Sequence, residues 1–258
     1  MRYLFSVFGL LSLIPMYMFK KAFEINVLHH QINHEAFNDQ PSFKLFFISD
    51  IHRRKVTKHL LKKVGTNVDF VLIGGDLADR RVDKERLEAN LRQLAKIGPI
   101  TYVWGNNDRE VGEEIIREKI NQVQGKIIEN RSLILKEGQS TIKLVGIDDV
   151  SSGKADILEA FLGVKNEEYT IFVSHTPSVF SKVVDRYRPN LLLAGHTHGG
   201  QIRFGKYGLY PKGTFDDSSN SISLISNGYG TSLIPFRFGA SPECHMITFT
   251  GKGYTEDK

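Results

Sequence analysis

From Ser42 onward, short runs of apolar residues alternate with stretches in which apolar positions recur every three or four residues. The runs Phe43–Ser49, Val68–Gly74, Pro99–Trp104, Ile142–Ile147, Tyr169–Ser174 and Asn190–Gly195 carry at most one charge each. That is the pattern of strands covered on both faces. Amphipathic stretches near Lys55–Val64, Asp83–Ile97, Glu113–Val123, Ala155–Leu162 and Val179–Tyr187 lie between most of them, and their period predicts helices. Strands alternating with helices predict an α/β fold with buried strands. Two further runs, Ser221–Ser226 and Cys244–Thr250, have no helical stretch between them, which predicts antiparallel sheet at the carboxyl end.

The amino end has a different pattern. Tyr3 to Phe19 contains no charged residue, and Lys20 and Lys21 come directly after it. A helix of that length reaches about 25 Å, at the short end of what crosses a bilayer, and Pro15 would kink it. A cleaved signal peptide fits less well, since the small-x-small cleavage site is missing. A buried soluble helix ranks lower still, because the segment is apolar on every side. The expected division is a membrane anchor over residues 1–21, a polar linker over 22–41 that includes His29, His30 and His34, and one domain over 42–258. Arg2 on one side of the run against two lysines on the other predicts a single-pass protein of the cell membrane with its body in the cytoplasm.

Composition narrows the rest. Hydrophobic residues make up 41% and charged residues 24% of the 258 positions, ordinary values for a chain with a packed core. A single cysteine, Cys244, excludes an intrachain disulfide. The formal charge of +5 points to anionic partners without naming them. It is modest for a nucleic-acid binder, and no aromatic stacking stripe accompanies it.

The chemistry sits at the ends of the strand-like runs. The first is followed by Asp50-Ile51-His52, the second by Gly75-Asp76-Leu77-Ala78-Asp79, and the third by Gly105-Asn106-Asn107-Asp108. The fifth ends in His175 and the sixth in Gly195-His196-Thr197-His198. Each site alone has an ordinary explanation, as a helix cap, a turn or a satisfied histidine. Five strand ends in one chain that all carry carboxylate, amide or imidazole predict a metal site, because ligands gather beyond the carboxyl ends of strands in α/β folds.

The order D-x-H, G-D-x-x-D, G-N-x-D, H and G-H-x-H resembles the calcineurin-like metallophosphoesterases over about Phe43 to Thr250. The stretches Gly195–Arg203 and Ser226–Glu243 resemble the bacterial, often membrane-associated branch of that superfamily. The resemblance implies a four-layer α/β/β/α sandwich and two divalent metal ions. Asp50, His52 and His198 then resemble the ligands of one ion, and Asn106, His175 and His196 those of the other. Asp76 resembles the bridging carboxylate. Mixed nitrogen and oxygen donors suit Mn²⁺ first, with Fe, Zn²⁺ or Co²⁺ as alternatives. Two such ions about 3.5–4 Å apart hold a hydroxide that attacks phosphorus and polarise a phosphoryl oxygen. Asp79 is expected to orient a ligand histidine or cap the next helix.

The resemblance and the uncharged amino end together predict a membrane-anchored phosphodiesterase, or an enzyme that cleaves a phosphate–phosphate bond. A nuclease or nucleotide phosphodiesterase, and a low-activity metal-binding module, are the alternatives. Its partners would be a phosphorylated substrate, a lipid head group among them, and the membrane through residues 3–19. Asn106, Asn107 and Asp108 are the candidate catalytic group. One departure stands out: the family usually has histidine, and in some members cysteine, where this chain has Asn107, and an amide cannot give up a proton at neutral pH. A cluster of cations, including Arg53, Arg54, Lys55, Arg80 and Arg81, adjoins the first two motifs; it fits either a solvated face or an anionic surface.

Overall fold

The computed structural model describes residues 13–38, 41–66, 68–137 and 141–252. Residues 13–22 are helical (α1). The strands are β1 Val27–Asn33, β2 Phe43–Ile48, β3 Phe70–Ile73, β4 Ile100–Tyr102, β5 Lys126–Ile127, β6 Arg131–Lys136, β7 Ile142–Gly146, β8 Tyr169–Val173, β9 Leu191–Ala194, β10 Arg203–Phe204, β11 Tyr207–Gly208, β12 Thr214–Asp216, β13 Ile222–Ile225 and β14 Cys244–Thr250. The remaining helices are α2 Lys58–Val64, α3 Lys84–Leu94, α4 Glu113–Gln122, α5 Ile157–Ala160 and α6 Phe180–Tyr187.

Two six-stranded sheets, ordered β1-β14-β2-β3-β4-β5 and β12-β13-β9-β8-β7-β6, face each other. Side chains alternate across each strand, so one residue in two points into the gap between the sheets. On β2, Leu45 and Phe47 point inward to meet Leu144, Ile171 and Leu193 of the second sheet. Phe46 and Ile48 point outward under α2, α3 and α4, against Leu60, Leu91 and Ile116. The second sheet repeats the scheme, with Val145, Phe172 and Leu192 packed against Phe161 and Val183 on the far side. Apolar cover on both faces explains why these strands read as continuous apolar runs rather than as an alternation. The result is the expected α/β/β/α layering. Thr57, Asp83 and Asp156 start α2, α3 and α5 by accepting backbone N–H groups, so the cap of α3 is Asp83 and not Asp79.

One expectation needs correction. The described residues of the stretch 22–41 are no linker. Val27–Asn33 forms β1, the edge strand of the first sheet, paired parallel to β14, and Phe37 beyond it is 1% exposed. Two of the histidines that make the stretch read as polar pack on aromatic rings: His30 stacks 4.2 Å from Phe215, and His34 meets the Tyr169 ring edge-on at 4.9 Å. The antiparallel pairing expected at the carboxyl end is present, β13 against β12 and β14 against β2, but the two runs enter different sheets. β13 lies parallel to β9 in one sheet, while β14 lies antiparallel to β2 and parallel to β1 in the other. Finally, residues 3–12 of the expected anchor lie outside the described residues. Among the described residues no helix is long and apolar enough to cross a membrane.

Helix α1 is nonetheless fastened to the body. The guanidinium of Arg54 lies buried over the Tyr229 ring at 3.9 Å and donates to the Phe23 and Glu24 carbonyls just past the helix, at 2.8 and 2.6 Å. One member of the basic cluster is therefore a structural clamp.

His245 on β14 is buried against β1 and the start of the Ser226 loop. Its Nδ1 lies 3.0 Å from His30 Nε2, its Nε2 lies 2.9 Å from Ser226 Oγ, and Glu243 stands 3.7 Å away. Burial, with repulsion from His30, pushes the His245 imidazole down to about 3. The unfolded chain takes up that proton near the ordinary histidine value of about 6.5. Between these values the unfolded state binds more protons, so stability falls as pH falls, by up to about 1.4 kcal/mol per pH unit for one proton. Denaturant unfolding of His245→Asn between pH 4 and 7 is expected to show a slope shallower by up to one proton. An unchanged slope would remove His245 from the acid sensitivity of the fold.

Candidate metal centre

β2, β3 and β4 run parallel, as do β8 and β9, so their carboxyl ends open on one edge of the sandwich. Asp50, Asp76, Asn106, His175 and His196 lie within four residues of those ends. The backbone turns sharply there: Asp50, His52, Asp76, His196 and His198 all have φ between 48° and 71°. For a non-glycine residue that conformation costs roughly 1 kcal/mol of strain. Two glycines make room for the turns. A Cβ on Gly105 would stand 2.1 Å from the Asp76 nitrogen, and one on Gly195 would stand 2.4 Å from Asp50 Oδ2.

All seven sequence-predicted ligands come together. Asp50, His52, Asp76 and His175 are 0–2% exposed and His198 7%; Asn106 and His196 are half-buried and line the cavity above. His52 Nε2 faces His198 Nε2 at 3.2 Å, and Asp50 Oδ1 lies 3.4 Å from His198 Nε2. On the other side His175 Nε2 lies 3.3 Å from His196 Nδ1. Asn106 Oδ1 is 3.2 and 2.9 Å from those two nitrogens. Asp76 Oδ2 joins the halves, 3.5 Å from His52 Nε2 and 3.4 Å from His175 Nε2.

These distances fit bound cations. Two imidazole nitrogens on one tetrahedral ion, each about 2.1 Å from it, are about 3.4 Å apart, which is close to both facing pairs. Two neighbouring sets, Asp50–His52–His198 and Asp50–Asp76–His175, have donor atoms that all lie within 4.8 Å of one another. Among the described residues, the ion-pair partners of the buried Asp50 and Asp76 are histidines. Two buried carboxylates without lysine or arginine call for a cation.

Surrounding groups hold the donors in place. His175 Nδ1 is 2.9 Å from the Gly74 carbonyl. His52 Nδ1 is 3.3 Å from Asp79 Oδ2, and Arg81 fixes Asp79 with contacts of 2.6 and 3.0 Å. Asp79 is thus the orienting residue its spacing suggests, and Arg81 its support. Ser49 Oγ donates to Asp50 Oδ2 at 2.6 Å, which leaves Oδ1 to face the centre.

The protonation pattern results from this packing. Burial opposes charge on His175, but Asp76 and Asp50 outweigh it and raise the imidazole to about 10. Burial, helped by His52 and Arg237, lowers His198 to about 3. Against burial, His175 and His52 hold the Asp76 carboxyl far below its usual range. Binding of a cation here would require His175 to lose its proton, whereas His198 is already held neutral.

The candidate catalytic residues divide. Asn107 lines the cavity, where its Nδ2 donates to Asp76 Oδ2 at 2.7 Å and its backbone N–H to Oδ1 at 2.9 Å. Asp108, expected beside the reacting atoms, lies beneath them and is fully buried. Its carboxylate accepts from the Asp76, Gly105 and Ala78 nitrogens at 2.8, 2.8 and 3.0 Å, and burial with repulsion from Asp76 raises it to about 7. It ties the β3 turn to the β4 turn and so sets the distance between Asp76 and Asn106. Its carboxylate is taken up by that backbone and does not orient the side chain at 107.

Sequence reasoning missed Arg237. Its side chain is 0% exposed and donates to the carbonyls of Asn227, Gly230 and His198 at 2.7, 2.6 and 3.1 Å. Its Nη2 lies 3.2 Å from His198 Nδ1. The only signal in the stretch Ser226–Glu243 is a single arginine set among glycines and apolar residues.

Comparison with known proteins agrees with this geometry. The sequence profile of the calcineurin-like phosphoesterases matches residues 43–200. The chain is 40% identical to an uncharacterized protein of Bacillus subtilis, YpbG, over 82% of this chain and 83% of that protein. It is 28% identical to the phosphodiesterase YaeI of Escherichia coli, over 86% and 87% of the two chains. Among solved structures, a putative 5'-nucleotidase from Staphylococcus aureus superposes with a TM-score of 0.53 at 10% identity, over 84% of this chain and 56% of that one.

Proposed function

Because the chain belongs to the calcineurin-like phosphoesterases and is a metal-dependent phosphoric ester hydrolase, we propose that it uses two divalent ions to cleave a phosphodiester or phosphate–phosphate bond. We place Asp50, His52 and His198 on one ion, Asn106, His175 and His196 on the other, and Asp76 between them. The observation that carries this reading is the single Asp76 oxygen lying about equally far from His52 and His175. When bound, the ions would supply a nucleophile from water and polarise the phosphoryl group. Asn106 contributes a neutral carbonyl, which limits negative charge where an anionic substrate must enter. Asp79 and Gly74 hold the two imidazoles in their planes. The mixed nitrogen and oxygen donors match Mn²⁺, Fe, Zn²⁺ and Co²⁺, and we take Mn²⁺ as the first to test. The body is held at the cytoplasmic face of a membrane by the uncharged run that ends in Lys20 and Lys21.

Asn107 shapes the substrate preference. It donates toward Asp76 and the cavity but holds no proton for a leaving group. Leaving groups that tolerate negative charge, a phosphate or an aryl oxide, are favoured over alkoxides. The cavity wall contains Ile202, Leu209, Leu233 and Ile234, and a polynucleotide backbone would be better served by cations.

One assay tests both points. Metal-stripped protein given Mn²⁺ is expected to recover hydrolysis of bis(p-nitrophenyl) phosphate; failure to recover it with any of Mn²⁺, Fe, Zn²⁺ or Co²⁺ would end the reading. In the same assay Asn107→His is expected to speed an alkyl-leaving diester more than the nitrophenyl one. Tenfold corresponds to about 1.4 kcal/mol of transition-state stabilisation. Equal effects on the two substrates would show that Asn107 acts on bound phosphate or on Asp76 alone.

A further inference from the structure

The cavity above the metal donors has a volume of about 420 Å³ and a divided character. Asp76, Asn107 and His196 form its floor, while Ile202, Leu209, Leu233 and Ile234 line its walls. Its mouth is apolar and open to solvent: Leu209 is 83% exposed and Leu233 76%. The β10–β11 hairpin that leads into Leu209 adds Phe204 at 68% and Tyr207 at 72%. Scattered exposed apolar residues are ordinary, but a ring of them around a polar reaction centre marks a binding surface.

This rim is built rather than loose. Leu233 is held at φ 53°, a conformation rare for leucine. Arg81 Nη1 donates to its carbonyl at 2.7 Å, and Gln201 Nε2 donates to the Ser232 and Ile234 carbonyls at 3.1 and 3.2 Å. The fold therefore keeps an apolar tip pointed outward and fixes it there with polar contacts from behind.

Helix α1 lies along the same side. The Met18 carbonyl accepts from the Arg237 nitrogen at 3.0 Å. The Tyr17 ring meets Phe238 at 6.1 Å, and Phe238 meets Phe204 of the rim at 4.9 Å. Leu13, Ile14, Met16 and Phe19 are 48–66% exposed on that helix, and the preceding residues 3–12 carry no charge. Between the end of α1 and the rim, a smaller cavity of about 170 Å³ is lined by Phe23, Leu233 and the cations Arg53 and Arg86. An apolar surface fringed with cations beside an uncharged segment is complementary to an anionic bilayer.

We propose that the rim around the metal site sits in a membrane surface and that the cavity takes the apolar chain of a phosphate-bearing lipid, its phosphate directed to the metal donors. This rests on the phosphoesterase reading above and adds the substrate class. The apolar wall matches the chain, the metal donors match the phosphoryl group, and α1 holds the mouth against the bilayer that contains both.

Two readouts on the full chain test it. With bis(p-nitrophenyl) phosphate as reporter, dodecyl phosphate below its micellar concentration is expected to inhibit at least tenfold more tightly than methyl phosphate. Leu209→Glu combined with Leu233→Glu is expected to erase that difference. Equal inhibition by the two phosphates would overturn the proposal. The second readout does not depend on activity. An environment-sensitive fluorophore is attached at Leu209→Cys, at Leu233→Cys, or at Asn166→Cys on the opposite edge before β8, Cys244 being buried. Vesicles of phosphatidylcholine and phosphatidylglycerol with brominated chains are expected to quench the first two at least twofold more than the third. Equal quenching at all three would place the mouth away from the membrane. A protein that cleaves no soluble diester with any metal would instead fail the phosphoesterase reading, and the quenching would still decide the placement of the rim.

Discussion

Asp76→Ala is expected to lose most of its bound metal and to lower phosphodiester hydrolysis by on the order of 10³-fold or more. The reason is geometric. Its Oδ2 is within 3.5 Å of a histidine on each side, more evenly placed than Asp50 Oδ1, which lies 3.4 Å from His198 and 4.0 Å from His175. Removing Asp50 would leave the Asp76 oxygen between the two halves; removing Asp76 weakens both at once. The fold should survive, because Asp108 keeps the β3 and β4 turns together through backbone N–H groups, including that of residue 76 itself. The metal-free variant should unfold more easily than metal-free wild type, since the buried carboxylate that faces His175 and accepts from Asn107 has gone. Elemental analysis and denaturant unfolding check the two halves of this expectation. Full metal content in the variant would refute the shared-ligand role.

The second large effect concerns stability. Arg237 is fully buried, and among the described residues its partners within hydrogen-bonding distance are backbone carbonyls and His198, with no carboxylate in ion-pair contact. Burial lowers its guanidinium to about 10, still charged at neutral pH. Arg237→Met would leave the Asn227, Gly228 and Gly230 carbonyls without their donor, at a cost of about 3–5 kcal/mol. Arg237→Lys should recover only part of this, because an ammonium cannot reach several carbonyls around one plane. The loop those carbonyls belong to packs on Asp50: a Cβ on Gly228 would stand 2.7 Å from the Asp50 Cβ. The unfolding midpoint should drop and metal should leave together. A Met variant as stable as wild type would show that the loop closes without the guanidinium.

Much of the site was legible because its logic is local. Each metal donor stands within a few residues of an apolar run. The runs that end beside Asp50, Asp76, Asn106, His175 and His196 are strands buried on both faces, which leave the plainest trace in a sequence. What stayed hidden depends on distant partners. β1 reads as polar because His29 and His30 interrupt it, and its strand partner is β14, at the other end of the chain. Nothing local tells that β13 and β14 part into different sheets, since each chooses its neighbour by the face it must cover. Asp108 sits in a motif that suggests catalysis, and only the backbone of Asp76 and Ala78 folded above it shows that it works from below. Arg237 obeys the same rule: its acceptors are carbonyls, which carry no residue identity.

The pairing of β1 with β14 also orders events in time. Asn33 and Thr250, which share a hydrogen bond, are 217 positions apart. At ordinary rates of synthesis that separation takes the ribosome about 10–40 s to cross. Throughout that interval β1 has emerged, next to an apolar segment ready for any lipid or chaperone nearby, while its sheet partner does not yet exist. The amino-terminal segment is therefore synthesised well before the sandwich can close. Strand β14, arriving last and inserting between β1 and β2, is the step that joins that segment to the finished sheet.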